Sequence, residues 1–140
     1  MSAAVAMTLA TALMAGAAPA TAPSRLEVQV GGPGYREAFD RAQRYEGENA
    51  SDMYRKFELY PAVLQDMKAL LGSCGGLGSA GTRTLTVVLS FDADVGGAVL
   101  YLDKDSPRGW CVANGLAGLK YPKPPHPDFA EEIRFEFDPQ

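Results

Sequence analysis

The sequence predicts an α+β fold: a small antiparallel sheet of about three strands, helices packed on one face, and one disulfide. Three observations predict it. Two runs, Thr84–Phe91 and Ala98–Leu102, alternate apolar and polar residues around an aspartate- and glycine-rich turn. The segment before them, Tyr35–Cys74, carries apolar residues at helical spacing. Two cysteines, Cys74 and Cys111, stand on either side of the strand pair.

In chain order, residues 1–20 read as a secretory signal. Met1–Ala22 has no charged side chain and is rich in Ala, Leu, Met and Val. It ends in small residues with Ala18-Pro19-Ala20 at the expected cleavage point, so the mature chain begins at about Thr21. The run is alanine-rich and broken by Thr8 and Thr11, which disfavours a permanent membrane anchor. Residues 21–34 are either a flexible leader or a short edge strand. Leu26, Val28 and Val30 alternate cleanly, but Gly31-Gly32-Pro33-Gly34 ends the pattern at once.

Residues 35–140 read as one α+β domain. Ala38, Phe39, Ala42 and Tyr45 mark a first amphipathic helix over Tyr35–Tyr45. Asn49 or Ser51 can cap the next. Met53, Phe57, Tyr60, Leu64, Met67, Leu71 and Cys74 then recur in steps of four and three, read as one core-facing stripe. Pro61 interrupts it, either kinking the helix or restarting it, and a restart over Tyr60–Leu71 with Gly72 as the stop fits the first-turn preference of proline. Gly75–Gly81 is a glycine-rich connection without the lysine of a phosphate loop.

On the first strand Leu85, Val87, Leu89 and Phe91 share a face, with Thr84, Thr86 and Ser90 opposite. Asp92-Ala93-Asp94-Val95-Gly96-Gly97 supplies the turn, and Ala98, Leu100 and Leu102 resume the alternation. Asp105-Ser106-Pro107 offers a cap and a first-turn proline for a helix over Arg108–Leu119. Cys111, Val112, Gly115, Leu116 and Leu119 form its apolar face, and glycine weakens such a helix by roughly 1 kcal/mol per position, which predicts a close approach to another element. Pro122, Pro124, Pro125 and Pro127 enforce an extended exit, and Ile133, Phe135 and Phe137 alternate with Glu132, Arg134 and Glu136 in a final strand.

An even cysteine count behind a signal predicts a Cys74–Cys111 disulfide in an oxidising compartment, against the alternative of two buried thiols. Closing a loop of about 37 residues stabilises by roughly 4 kcal/mol on the chain-entropy model. Two isolated cysteines and the distant His126 do not make a metal site, and no cofactor is expected. The net charge of −4, without a basic stripe, argues against nucleic acid or anionic membrane as partner. No catalytic constellation stands out. Asp92, Asp94, Asp103 and Asp105 flank the hairpin, where aspartate is a common turn residue, and a hydrolase using these acids is a minor alternative. Tyr101, Trp110, Tyr121 and Phe129 form a candidate aromatic partner-binding patch near the proline segment.

This order of elements resembles the TonB C-terminal-like domains, in particular the AgmX/PglI-type branch. The matching residues are Cys74, Thr86-Val87-Val88-Leu89-Ser90-Phe91 with its Asp/Gly turn, Cys111-Val112, Leu119-Lys120-Tyr121-Pro122-Lys123-Pro124-Pro125, and Phe135-Glu136-Phe137. The resemblance covers about Tyr60–Phe137. It implies a small sheet with helices on one face, and recognition of protein or peptidoglycan-associated partners through exposed edges rather than an active site. The inner-membrane anchor and long periplasmic linker common in that family are not read here, so energy transduction is not expected. The expected function is that of a periplasmic or secreted, non-catalytic module of the bacterial cell envelope, binding another envelope protein. The alternative is an immunity or inhibitor protein that binds a cognate toxin.

Overall fold

A computed structural model describes residues 27–77, 83–92 and 97–137. The expected signal, Asp94 with the rest of the hairpin turn, and part of the glycine-rich connection lie outside the described residues. The elements are β1 (Glu27–Val30), α1 (Gly32–Arg44), α2 (Asn49–Tyr54), a π-helical turn (Arg55–Leu59), α3 (Tyr60–Cys74), a 3₁₀ turn (Gly75–Leu77), β2 (Thr84–Asp92), β3 (Gly97–Leu102), α4 (Pro107–Ala117) and β4 (Ala130–Glu136).

The fold is α+β, with the Cys74–Cys111 disulfide in place. Strands β3, β2 and β4 form the expected antiparallel sheet, and β1 adds a fourth strand parallel to β3, giving the order β1-β3-β2-β4. Within the segment read as leader or edge strand, Glu27–Val30 is an edge strand. Its exit into α1 needs left-handed backbone at Gly31 (φ 57°) and Gly32 (φ 75°), conformations that glycine reaches without a Cβ penalty.

Helices cover both faces of the sheet, not one. Leu85, Val87, Leu89 and Phe91 of β2, Leu100 and Leu102 of β3, and Ile133 and Phe135 of β4 are buried with Val112, Ala113 and Leu116 of α4 and with Leu59 and Cys74. The opposite face carries Val88 and Ala130, which pack against Ala38 and Ala42 of α1, with Tyr35, Phe39 and Tyr101 around them. Small residues at 38 and 42 let α1 lie close. At Gly34 a Cβ would stand 2.8 Å from the Tyr101 ring, so this helix start also needs the missing side chain. Val88 is the residue that an outward-facing polar series does not account for, and a central strand buried on both faces explains it.

The helical stripe divides. Only Cys74 of the seven residues in it is fully buried, while Met53, Phe57, Leu64 and Leu71 are exposed. The core face is instead Tyr54, Leu59, Val63, Met67, Leu70 and Cys74. Pro61 stands in the first turn of α3, which starts at Tyr60 as the restart reading expects, and the π turn Arg55–Leu59 precedes it. The helix also passes Gly72 and ends at Cys74. The cap of α2 is neither Asn49 nor Ser51: Glu48 accepts from the backbone N–H groups of Ala50 and Ser51. In α4 the expected Ser106 cap holds, accepting from the Gly109 N–H at 2.9 Å. A Cβ on Gly115 would fall 2.1 Å from Leu70 Cδ2, so the absence of a side chain there sets how closely α4 meets α3 beside the disulfide.

Candidate functional site

The chain's polar side chains gather where the proline-rich exit crosses α1 and α2. Glu48 receives His126 Nε2 at 3.0 Å. The His126 ring stacks on Tyr45 with centroids 4.8 Å apart. The Tyr45 hydroxyl donates to Asp128, and Arg41 donates to the Asp128 carbonyl and to Ser90 Oγ. One step inward, Tyr54 donates to the Pro122 carbonyl at 2.7 Å, and the buried Glu131 carboxylate takes Arg55 and the Tyr60 hydroxyl. Phe129 sits at the centre with Tyr45, Tyr54 and Phe91 around its ring and the Arg55 guanidinium 5.4 Å above it.

This cluster includes a serine, a glutamate and the single histidine, and its geometry is wrong for acyl transfer. Ser51 and His126 both bond to Glu48, so the carboxylate lies between hydroxyl and imidazole, whereas nucleophile activation needs the imidazole between them. Hydrogen bonds from Ser51 and His126 hold the Glu48 carboxyl down to about 2, which makes it a poor base at neutral pH. Burial pushes Glu131 up, against the opposing pull of Arg55 and Tyr60, and pushes the hydroxyls of Tyr54, Tyr60 and Tyr121 up as well. Phenols so raised stay protonated and donate. The arrangement ties the exit to the helices. Among the described residues no group of three or more His, Cys, Asp or Glu side chains converges on a metal position.

The four aromatic candidates do not form a patch. Phe129 is fully buried in the core. Tyr121 packs edge-on against Phe91 and donates to the Leu116 carbonyl at 2.7 Å. Tyr101 lies on the opposite face of the sheet, under α1. Of the four, only Trp110 is exposed, with its indole N–H on Asp105 at 2.7 Å. Phe129 and Tyr121 belong to the main core, against which the folded exit presses them.

Exposed apolar surface is found elsewhere. Met53, Phe57, Leu64 and Leu71, at spacings of four, seven and seven, run along the outside of α2 and α3 with side chains 36–58% exposed. Lys56 Nζ stands 5.3 Å from the Phe57 ring, and Leu77, past the helix end, is also exposed. The signal that could have found this row is the doublets Val63-Leu64 and Leu70-Leu71. Adjacent residues on a helix point about 100° apart, so one of each pair has to leave the core. No family model, curated protein or solved structure matches the chain.

Proposed function

We propose that this chain is an exported, non-catalytic protein-binding module of TonB C-terminal-like type, acting in the bacterial cell envelope. It meets its partner through the outer face of α2 and α3. The observation that carries this reading is the row Met53, Phe57, Leu64 and Leu71, whose large apolar side chains stay in water. A row of this kind on a folded surface marks a contact site for another protein. The disulfide fits an oxidising compartment. The ionisable cluster around Phe129 is spent on internal ties, which fits binding better than hydrolysis.

A photo-crosslinking residue at Leu64 tests the surface. In the envelope fraction it should give one discrete adduct, while the same residue at Asp40 on α1 should give none. Equal labelling from both positions contradicts the assignment. Export is checked on the native protein, which should be found outside the cytoplasm without about its first 20 residues. Full-length protein held at the inner membrane contradicts it.

A further inference from the structure

Strand β4 is an edge of the sheet, and among the described residues no strand pairs with its outer side. Which of its backbone groups face outward follows from two bonds. The Phe91 N–H donates to the Phe129 carbonyl at 2.9 Å, and the Phe137 N–H donates to the Arg83 carbonyl at 2.8 Å. In an antiparallel pair the bonding residues alternate. Glu131, Ile133 and Phe135 therefore bond inward to β2, and Ala130, Glu132, Arg134 and Glu136 turn their N–H and C=O groups outward. The side chains of these outward-bonding residues lie on the α1 face, where Ala130 packs against α1 and Glu132 receives Gln43 at 2.8 Å.

We propose that this edge pairs with the same edge of a second copy of the chain, antiparallel, about a two-fold axis at Ile133. In that register Glu132 of each copy stands directly opposite Arg134 of the other, twice over, and both are outward-bonding residues as an edge-to-edge ladder requires. Ala130 stands opposite Glu136, so no like charges meet. The neighbouring registers fail this condition. An axis at Arg134 sets arginine against arginine and Glu132 against Glu136, and an axis at Glu132 sets glutamate against glutamate. An axis at Phe135 matches Arg134 with Glu136 but pairs only the end of the strand. Directly opposed charges on one sheet face are close enough to interact, and like pairs there are destabilising. The alternation Glu132, Arg134, Glu136 thus selects one self-complementary register. The other edge, β1, is four residues long and has no such alternation of sign. Arg134 is 60% exposed and, among the described residues, pairs with Glu132 of its own strand at 3.3 Å, a surface contact it can exchange for the neighbour's.

This surface is distinct from the outer face of α2 and α3, and its test is independent of that reading. The oxidised protein is examined by sedimentation equilibrium over a concentration series reaching about 100 µM, a range in which self-association displays its dependence on mass action. The native chain should sediment as a dimer at the upper end. Arg134→Glu and Glu132→Arg should each weaken the dimer on the order of tenfold or more, since each sets like charges opposite across the axis. The exchange Glu132→Arg with Arg134→Glu should restore it. Circular dichroism and the intact disulfide confirm that each variant is folded, and Phe57→Ser should leave the dimer unchanged. A native chain that remains monomeric throughout overturns the proposal. So does a folded Arg134→Glu variant that dimerises as the native chain does, or a folded double exchange that stays monomeric.

Discussion

The two helical layers cover the same sheet by different means. On one side α3 and α4 bury large aliphatic and aromatic residues, approach closely at Gly115 and are joined by the Cys74–Cys111 bond. On the other, α1 contributes two alanines and half-buried rings, and is tied down by polar contacts: Arg41 to Ser90, Gln43 to Glu132, Tyr45 to Asp128. The outer surfaces differ as well. That of α1 carries Arg36, Glu37, Asp40 and Arg44, whereas that of α2 and α3 carries Met53, Phe57, Leu64 and Leu71. The layer with the stronger inner attachment is therefore the one that leaves apolar surface in water, which is where a partner gains most from docking.

Breaking the staple has the largest expected effect. Cys74→Ser should lower stability by about 2–5 kcal/mol in oxidising buffer, and the double change with Cys111→Ser should cost about the same as either single one, because both sulfurs act as one unit. Denaturant titration measures this, and an unchanged midpoint on reduction would show that the bond does not hold the α3–α4 layer. A smaller effect is expected from the α1 side. Arg41→Ala removes the bonds to Ser90 and Asp128 and should cost about 1–2 kcal/mol. A loss as large as that of the disulfide would reverse the ranking of the two layers.

The smallest effect is in the response to acid. Glu48 is held below its ordinary value of 4.5, to about 2, so its contribution is fully present above the ordinary value and is lost as pH falls towards about 2. The stability difference between the native chain and Glu48→Gln should accordingly be constant near neutrality, shrink below about pH 4.5 and vanish near pH 2. Glu131 acts in the other sense. Burial raises it, so its proton favours the folded state, and that contribution is present below the ordinary carboxylate value and lost as pH rises through the raised one. Urea unfolding of Glu48→Gln and Glu131→Gln across this range separates the two, and a Glu48→Gln difference that grows with acid would contradict the linkage.

Much of the frame was legible because it depends on local periodicity. The β2–β3 pair, β4, the Ser106 cap and the close approach at Gly115 follow from residue type at fixed spacing, and the disulfide from an even cysteine count. The parallel pairing of β1 with β3 was not legible, since alternation says which face a residue takes and nothing about which strand lies beside it. The α1 layer hid behind Val88, a single apolar residue in an otherwise polar series. The cap at Glu48 was missed because serine and asparagine outrank glutamate at that position; Glu48 also bonds His126, far away in sequence. The exposed row was missed because regular helical spacing says which residues share a face and not whether that face turns inward. Phe129 and Tyr121 were misplaced for the same kind of reason, their surroundings being made by the folded exit rather than by neighbours in the chain.

The most direct test of the binding surface compares the two outer faces in one assay. Affinity for the crosslinked partner is measured for Phe57→Ser/Leu64→Ser and for Arg36→Ser/Asp40→Ser, both at exposed positions where substitution should change stability by no more than about 0.5 kcal/mol. The first variant should lose on the order of a hundredfold in affinity, as expected when two apolar anchors are removed, and the second should bind as the native chain does. Native affinity in the folded Phe57→Ser/Leu64→Ser variant would contradict the assignment of the α2–α3 face as the contact surface.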